Sequence, residues 1–296
     1  MTPVPDRTVL VTGASSGIGR ATAQLLASQG ARLVLAARSA EALEQARQEC
    51  VGRGAADVLV VPTDVTDRDG VDGLFDAAAA HFGRVDAVVH AVGVVAYGRF
   101  EEVPADVFDR VLTVNVLGAA NVARRALLGF ESDGGSLVVV GSLLGKIATP
   151  YMSSYATSKW AIQGLVRTLQ IEARAHPDVD VTLVTPGGVD TPIYDQAGSY
   201  TGHPGSPPPP VISPEKVART IVAALDKPGR DIAAGPANWV MVAGFRLLPG
   251  VFDRLVEPMM RLLGQGRATV EAHPGNVFEP VPAKEAVHGR WPHIWG

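Results

Sequence analysis

The chain has little cysteine, little charge and no long apolar run. Its 296 residues include one cysteine, Cys50. That rules out an internal disulfide framework and fits a reducing, cytoplasmic compartment. Cys50 itself reads as a small helix residue. Charged residues make up 19%, below the roughly 25% of an ordinary soluble chain. The deficit predicts surface covered elsewhere, in an oligomer interface or against a membrane surface. The net charge of -4 argues against nucleic acid as a partner. No uncharged apolar run reaches the roughly 18 residues a spanning helix needs. Residues 1–6 lack the basic-then-apolar order of a secretory leader, so none is expected. No internal repeat is present.

What is present is an alternation. Apolar residues make up 47%, enough for a buried core, and the length allows one α/β domain. Short β-branched runs read as strands at 8–12, 32–36, 58–61, 85–90, 136–140, 179–185 and 232–234. Helical spacing recurs at Ile18, Ala21, Leu25 and Leu26, over 40–53, after Pro104, and over 153–175. Ser213-Pro214-Glu215 supplies a cap, a first-turn proline and an early acid for another helix. The strands are nearly continuous in apolar character, as in a parallel sheet covered on both faces. Right-handed crossovers then give a Rossmann-like, doubly wound α/β fold over residues 1–235. Residues 236–296 form a separate C-terminal extension. The Gly-, Ser- and Pro-rich stretch 198–213 reads as a loop, either a linker or a flap, unable to continue a helix or join a sheet ladder.

Three groups of residues carry chemistry. Gly13, Ser15, Ser16, Gly17, Ile18 and Gly19 lie where the first strand turns into the first helix. Glycines there allow close backbone approach, and the helix N-terminus offers free N–H groups to a pyrophosphate. Tyr155 and Lys159 stand four apart on one helix face. A tyrosine with a pKa near ~10 is a poor proton carrier at neutral pH, and a nearby ammonium lowers that pKa. At the end of the second strand stand Ala37, Arg38 and Ser39. An acid there would accept hydrogen bonds from a ribose 2′-hydroxyl, whereas an arginine pairs with a 2′-phosphate. NADP(H) is therefore expected over NAD(H), by about ten- to a hundredfold if one charge-assisted hydrogen bond decides. Arg38→Asp should reverse the preference.

The stretch TGASSGIG from Thr12 to Gly19 resembles the TGxxxGxG fingerprint of the classical short-chain dehydrogenase/reductase family, and Tyr155-Ala156-Thr157-Ser158-Lys159 resembles its YxxxK motif. The resemblance runs from about residue 7 to 234. It implies that Ser142 holds the substrate oxygen, that Tyr155 is the general acid/base, that Lys159 also binds the nicotinamide ribose, and that Asn115 links the lysine to a proton relay. It implies cofactor contacts from Asp64 and Val65, from Ala91 and Gly93, and from Pro186, Gly187, Val189 and Thr191. One departure stands out. His90-Ala91-Val92-Gly93 replaces the family's Asn-Asn-Ala-Gly, so Ala91 stands where the family has the asparagine that ties neighbouring strands. His90 reads as structural.

The expected activity is hydride transfer between a nicotinamide and a carbonyl or alcohol substrate. A related nicotinamide-dependent epimerase and a non-catalytic NADP(H) sensor are the alternatives. Longer branches doing epimerase work usually have another glycine spacing, and a sensor has no need of the tyrosine. Residues 143–152 and 193–211, the expected pocket walls, offer no cationic clamp, so an apolar small-molecule substrate is expected. No metal site is expected. The resemblance implies a homodimer or homotetramer.

In the extension, paired apolar residues from Leu247 to Leu263 make an amphipathic stripe that Pro258 should kink or divide. Its apolar face could pack on the body, join a second subunit or lie on a membrane surface. Trp291 and Trp295 near the end are expected to dock. Unchanged assembly and activity after truncation at Arg267 would remove that expectation.

Overall fold

The computed structural model describes residues 7–235 and 238–293. Trp295 therefore lies outside the described residues. The elements in chain order are β1 (Thr8–Thr12), α1 (Gly17–Ser28), β2 (Arg32–Ala37), α2 (Ala40–Gly52), β3 (Asp57–Pro62), α3 (Arg68–Phe82), β4 (Ala87–His90), β5 (Ala96–Tyr97), α4 (Ala105–Leu112), α5 (Gly118–Phe130), β6 (Gly135–Val140), α6 (Ser153–Glu172), β7 (Val179–Pro186), β8 (Gly188–Val189), α7 (Ile193–Gln196), β9 (Gly198–Ser199), β10 (Val211–Ile212), α8 (Pro214–Asp226), β11 (Asp231–Ala234), α9 (Asn238–Leu247) and α10 (Pro249–Leu263). Seven strands pair in parallel in the order β11-β7-β6-β4-β1-β2-β3. The fold is the expected Rossmann-like, doubly wound sheet. Its chain order reverses between β1 and β4, where open α/β sheets leave a crevice at the strand ends.

The sheet sorts its side chains by a period of two. Val9, Val11, Leu33 and Leu35 point to one face, against Leu26 of α1, Leu43 of α2 and Ile221 of α8. Leu10, Val34 and Val88 point to the other, against Leu74 and Phe75 of α3, Val122 of α5 and Ile162 of α6. Both faces are covered, which explains why the strands read as unbroken apolar runs.

Four local readings need correction. The helix α3 was missed between the third and fourth strands, although Asp67 caps it and Val71, Leu74, Phe75 and Ala78 form its buried stripe. The long helix after Pro104 is interrupted by a π-turn at Thr113–Leu117 that carries Asn115. The stretch 198–213 does join ladders at both ends: Gly198–Ser199 pairs with β5, and Val211–Ile212 pairs with β8. Only two residues pair at each place, too few to make a hydrophobic signature, and the prolines lie between them. Pro258 does not divide its helix, because α10 runs through it. The break falls at Leu248, and Pro249 takes the first-turn position where a missing N–H is harmless.

The inner face of α10 packs on the body. Phe252, Val256 and Met260 join Val95, Tyr97, Ile147 and Met152 in one apolar cluster. The helical stretch Ala105–Phe130 is long and apolar enough to cross a bilayer by length and composition, but half of that window is buried inside the protein.

Candidate active site

The site lies over the reversal of strand order. Gly13 ends the β1 turn at φ +74°, and a Cβ there would stand 2.8 Å from the Ala91 carbonyl oxygen of the β4 turn. A Cβ on Gly19 would stand 2.1 Å from the Gly13 oxygen. Glycine at both positions lets α1 start directly against the strand ends, with its N–H groups turned into the cleft. That cleft encloses about 1160 Å³ of non-protein space, part of it open to solvent.

Of the residues expected to hold a cofactor, Gly13, Ser15, Ser16, Gly17 and Ile18 line the cleft from α1. Arg38, Asp64, Val65, Ala91 and Gly93 line it from the ends of β2, β3 and β4. Pro186, Gly187, Val189 and Thr191 close the opposite end. Gly19 and Ser39 do not line it. Gly19 serves helix packing, and Ser39 caps α2 by accepting a hydrogen bond from the Ala42 N–H at 3.3 Å. Asp64 reaches the wall with its carboxylate already engaged, by Thr66 and by Arg110 at 2.8 Å. Those bonds hold its pKa below the usual carboxylate range, against a burial effect that raises it.

The catalytic candidates converge at the floor. Ser142 follows β6, and Tyr155 and Lys159 project from the first turns of α6 into the same cleft. Lys159 is 5% exposed. Its ammonium donates to the Val140 carbonyl at 3.1 Å and lies 5.6 Å from the centre of the Tyr155 ring. Burial pushes Lys159 down to about 8. Burial also pushes Tyr155 up to about 12, with the hydrogen bond to Ser142 pulling the other way. The expected lowering of Tyr155 by the lysine is absent in the protein alone, where desolvation of the phenolate dominates.

Asn115 sits one layer behind. Its Nδ2 donates to the Val94 carbonyl and to Ser158 Oγ, both at 2.9 Å, and its Oδ1 accepts from the Val94 N–H at 2.9 Å. Ser158 in turn donates to the Tyr155 carbonyl at 2.7 Å. The π-turn aims Asn115 inward, and its amide fastens the chain after β4 to the catalytic helix. His90 does not face the cleft. Its Nδ1 lies 2.9 Å from Thr12 Oγ1, across the β1–β4 pairing, which bears on the lost asparagine tie.

A second cavity, about 670 Å³, adjoins the first. The two share Ser142, Tyr155, Gly187, Ile193 and Tyr194. Leu143, Ile147, Met152 and Pro208 of the expected walls line it. Sequence reasoning missed Val95, Tyr97, Met241, Met259 and Met260 there, and Gln196, Asn276 and Glu285 on the cofactor side. The apolar spacing of the extension gave a signal for Met259 and Met260 but not for Met241, and nothing local marks Asn276 or Glu285. Among the described residues, no cluster of three or more potential metal ligands occurs.

The fold, glycine turn and Ser–Tyr–Lys floor define a nucleotide-dependent oxidoreductase frame, and comparison with known proteins gives the family. The model of the family described as short chain dehydrogenase matches residues 7–200, and the chain belongs to that family. It is 34% identical over 259 residues to an uncharacterized oxidoreductase, YxnA, from Bacillus subtilis, covering 86% of this chain and 72% of the relative. It is 34% identical to dehydrogenase/reductase SDR family member 7B from Bos taurus, covering 87% and 82%. A Burkholderia phymatum short chain dehydrogenase/reductase solved in complex with NAD superposes with a TM-score of 0.76 at 28% identity, covering 85% of this chain and 96% of that one. An alcohol dehydrogenase from Thermococcus sibiricus, complexed with 5-hydroxy-NADP, gives 0.68 at 32%, covering 77% and 94%. A nicotinamide dinucleotide fits the residues present: glycine at 13 lets the β1 and β4 turns approach each other where a Cβ would collide with Ala91, and one cleft is lined from Arg38 to Tyr155.

Proposed function

We propose that the protein is an NADP(H)-dependent oxidoreductase that interconverts an apolar ketone and its alcohol, with Tyr155 as general acid/base. The observation that carries this reading is the junction of the two cavities: Ser142 and Tyr155 line both. A carbonyl held there by the Ser142 hydroxyl would present its carbon to the cofactor side and its oxygen to the phenol. The nicotinamide supplies the hydride when bound. Tyr155 gives a proton to the carbonyl oxygen, and a phenol held near 12 is fully protonated for that task at neutral pH. The reverse reaction needs the phenolate, so alcohol oxidation should accelerate as pH rises, while ketone reduction stays flat through neutrality.

Arg38 and the absence of an acid at the end of β2 support NADP(H) over NAD(H). The substrate pocket supports an apolar substrate. Its walls carry Val95, Leu143, Ile147 and four methionines, Met152, Met241, Met259 and Met260, whose flexible thioethers adapt to varied apolar shapes. The test is NADPH and NADH oxidation against apolar, aromatic, acidic and acyl-thioester ketones, with wild type and Tyr155→Phe. Turnover of apolar ketones, lost in the mutant, is expected. Turnover that survives Tyr155→Phe would remove the tyrosine from its role.

A further inference from the structure

The last described residues turn back across the cofactor cleft. Asn276 is held by Gln196, through its N–H to the Gln196 carbonyl at 2.8 Å and its Nδ2 to Oε1 at 2.9 Å. Val277 is fully buried among Val94, Val103, Val107 and Val111. Fourteen residues further on, the Trp291 N–H donates to Asp190 Oδ1 at 3.0 Å, and its indole meets Tyr194 edge-on at 5.0 Å. His288 reaches both Asp190 and Glu215. The segment is therefore tied down at both ends, and its middle spans the cleft like a strap.

That middle engages the groups a dinucleotide's phosphates would use. The Ala286 carbonyl accepts from the Gly17 N–H at 2.8 Å and from the Ser16 hydroxyl at 3.1 Å, at the N-terminus of α1. The Asn276 and Phe278 carbonyls accept from the two terminal nitrogens of Arg38, at 2.8 and 2.9 Å. The Glu285 carboxyl is half-buried beside Ser15, which hydrogen-bonds it, with the Arg38 charge also acting on it. Its Oε2 is buried and has no hydrogen-bond partner. Strap oxygens thus sit on the Gly17 N–H, the Ser16 hydroxyl, Ser15 and Arg38, and one of those acceptors belongs to an acid. The matched family region ends at residue 200, so the strap belongs to the extension beyond it.

Building on the NADP(H) reading above, we propose that residues 278–287 compete with the cofactor for its phosphate-binding groups, with the Glu285 carboxylate standing in for a phosphate. The strap is a built-in determinant of cofactor affinity and selectivity. A dinucleotide must displace the middle of the strap while Val277 and Trp291 hold its ends. A carboxylate left beside Ser15 would repel the arriving phosphates, so the carboxyl must swing out or take a proton. Arg38 must exchange the Phe278 carbonyl for a 2′-phosphate, so NADP(H) should feel the competition more than NAD(H).

The test measures NADPH and NADH dissociation constants by fluorescence titration for wild type, Glu285→Gln and a chain ending at Val277, which keeps the buried anchor and removes Phe278, Glu285 and Ala286. The glutamine keeps the size and removes the charge, so it decides the matter even if the shortened chain folds poorly. NADPH binding should tighten about threefold or more in Glu285→Gln and about tenfold or more in the shortened chain, with a smaller gain for NADH. Unchanged affinity in Glu285→Gln and in the folded shortened chain would overturn the competition. Weaker binding in either would also overturn it, since the strap would then be a clamp on bound cofactor. Equal tightening for both cofactors would support the strap and remove the Arg38 preference. Absence of binding in every form, strap removed or not, would overturn the strap and the dinucleotide reading together.

Discussion

His90 shows how one substitution in a family pattern can be absorbed. The imidazole is 2% exposed, bonded to Thr12 through Nδ1, and its Nε2 has no hydrogen-bond partner. Burial and the Lys159 charge hold its pKa down to about 3. The folded protein therefore keeps it neutral, while the unfolded chain takes up a proton near the ordinary value of 6.5. Between those values the unfolded state binds more protons, so stability is full above about 6.5 and falls as pH falls through that window. The slope from this one group is about 1.4 kcal/mol per pH unit. Urea unfolding at pH 7, 6 and 5 should show His90→Asn losing less stability on acidification than wild type, by roughly that slope. Parallel losses in the two proteins would mean that His90 is protonated in the fold. At the same scale, Arg38→Asp should reverse the ratio of NADPH to NADH affinities, and near-equal wild-type affinities would remove the preference altogether.

At the scale of elements, α10 turns an open shelf beside Tyr155 into a pocket. Phe252 stacks edge-on against Phe245 at 5.2 Å, and Met259 and Met260 form the wall facing Tyr155. Phe252→Ala should cost about 3 kcal/mol of stability, as large-to-small changes in buried aromatic sites do. It should also raise KM for apolar ketones about tenfold, leaving the NADPH dissociation constant unchanged. Urea unfolding and steady-state kinetics check the two halves, and an unchanged KM would detach α10 from the substrate. The sequence made the strand–turn–helix of the glycine cradle and the Tyr–Lys helix legible, because their chemistry lies within a few residues of chain. Asn115 was legible by position, but the π-turn that aims it was not, since five residues of π-helix leave no periodicity of their own. The strap was illegible for a different reason. Its partners at Gly17 and Arg38 lie about 240 to 270 residues away in sequence, and main-chain carbonyls carry no residue signature. The stripe of α10 told which face is apolar, and only the tertiary structure tells that Phe252, Val256 and Met260 face Tyr97 and Met152.

Across the whole molecule, the sheet holds the site while the elements at its carboxyl edge define what enters. Large apolar side chains are left outside on α9, α10 and the break between them, at Trp239, Leu247, Leu248, Leu255 and Leu262, and on the π-turn, α5 and α6, at Leu117, Leu128, Trp160 and Ile171. Binding and chemistry can be separated by ligand linkage. Cofactor at a hundred times its dissociation constant stabilises the fold by about 2.7 kcal/mol. For a chain of this size that should raise Tm by roughly 4–5 °C. NADPH should give the larger rise and NADH the smaller at equal concentration. On the proposed role of the phenolic oxygen as a proton carrier that does not hold the adenosine end, Tyr155→Phe should keep nearly the full rise. A folded Tyr155→Phe protein with no cofactor-dependent rise would show that the tyrosine is part of the binding site first, and the division of labour between cradle and floor would then have to be redrawn.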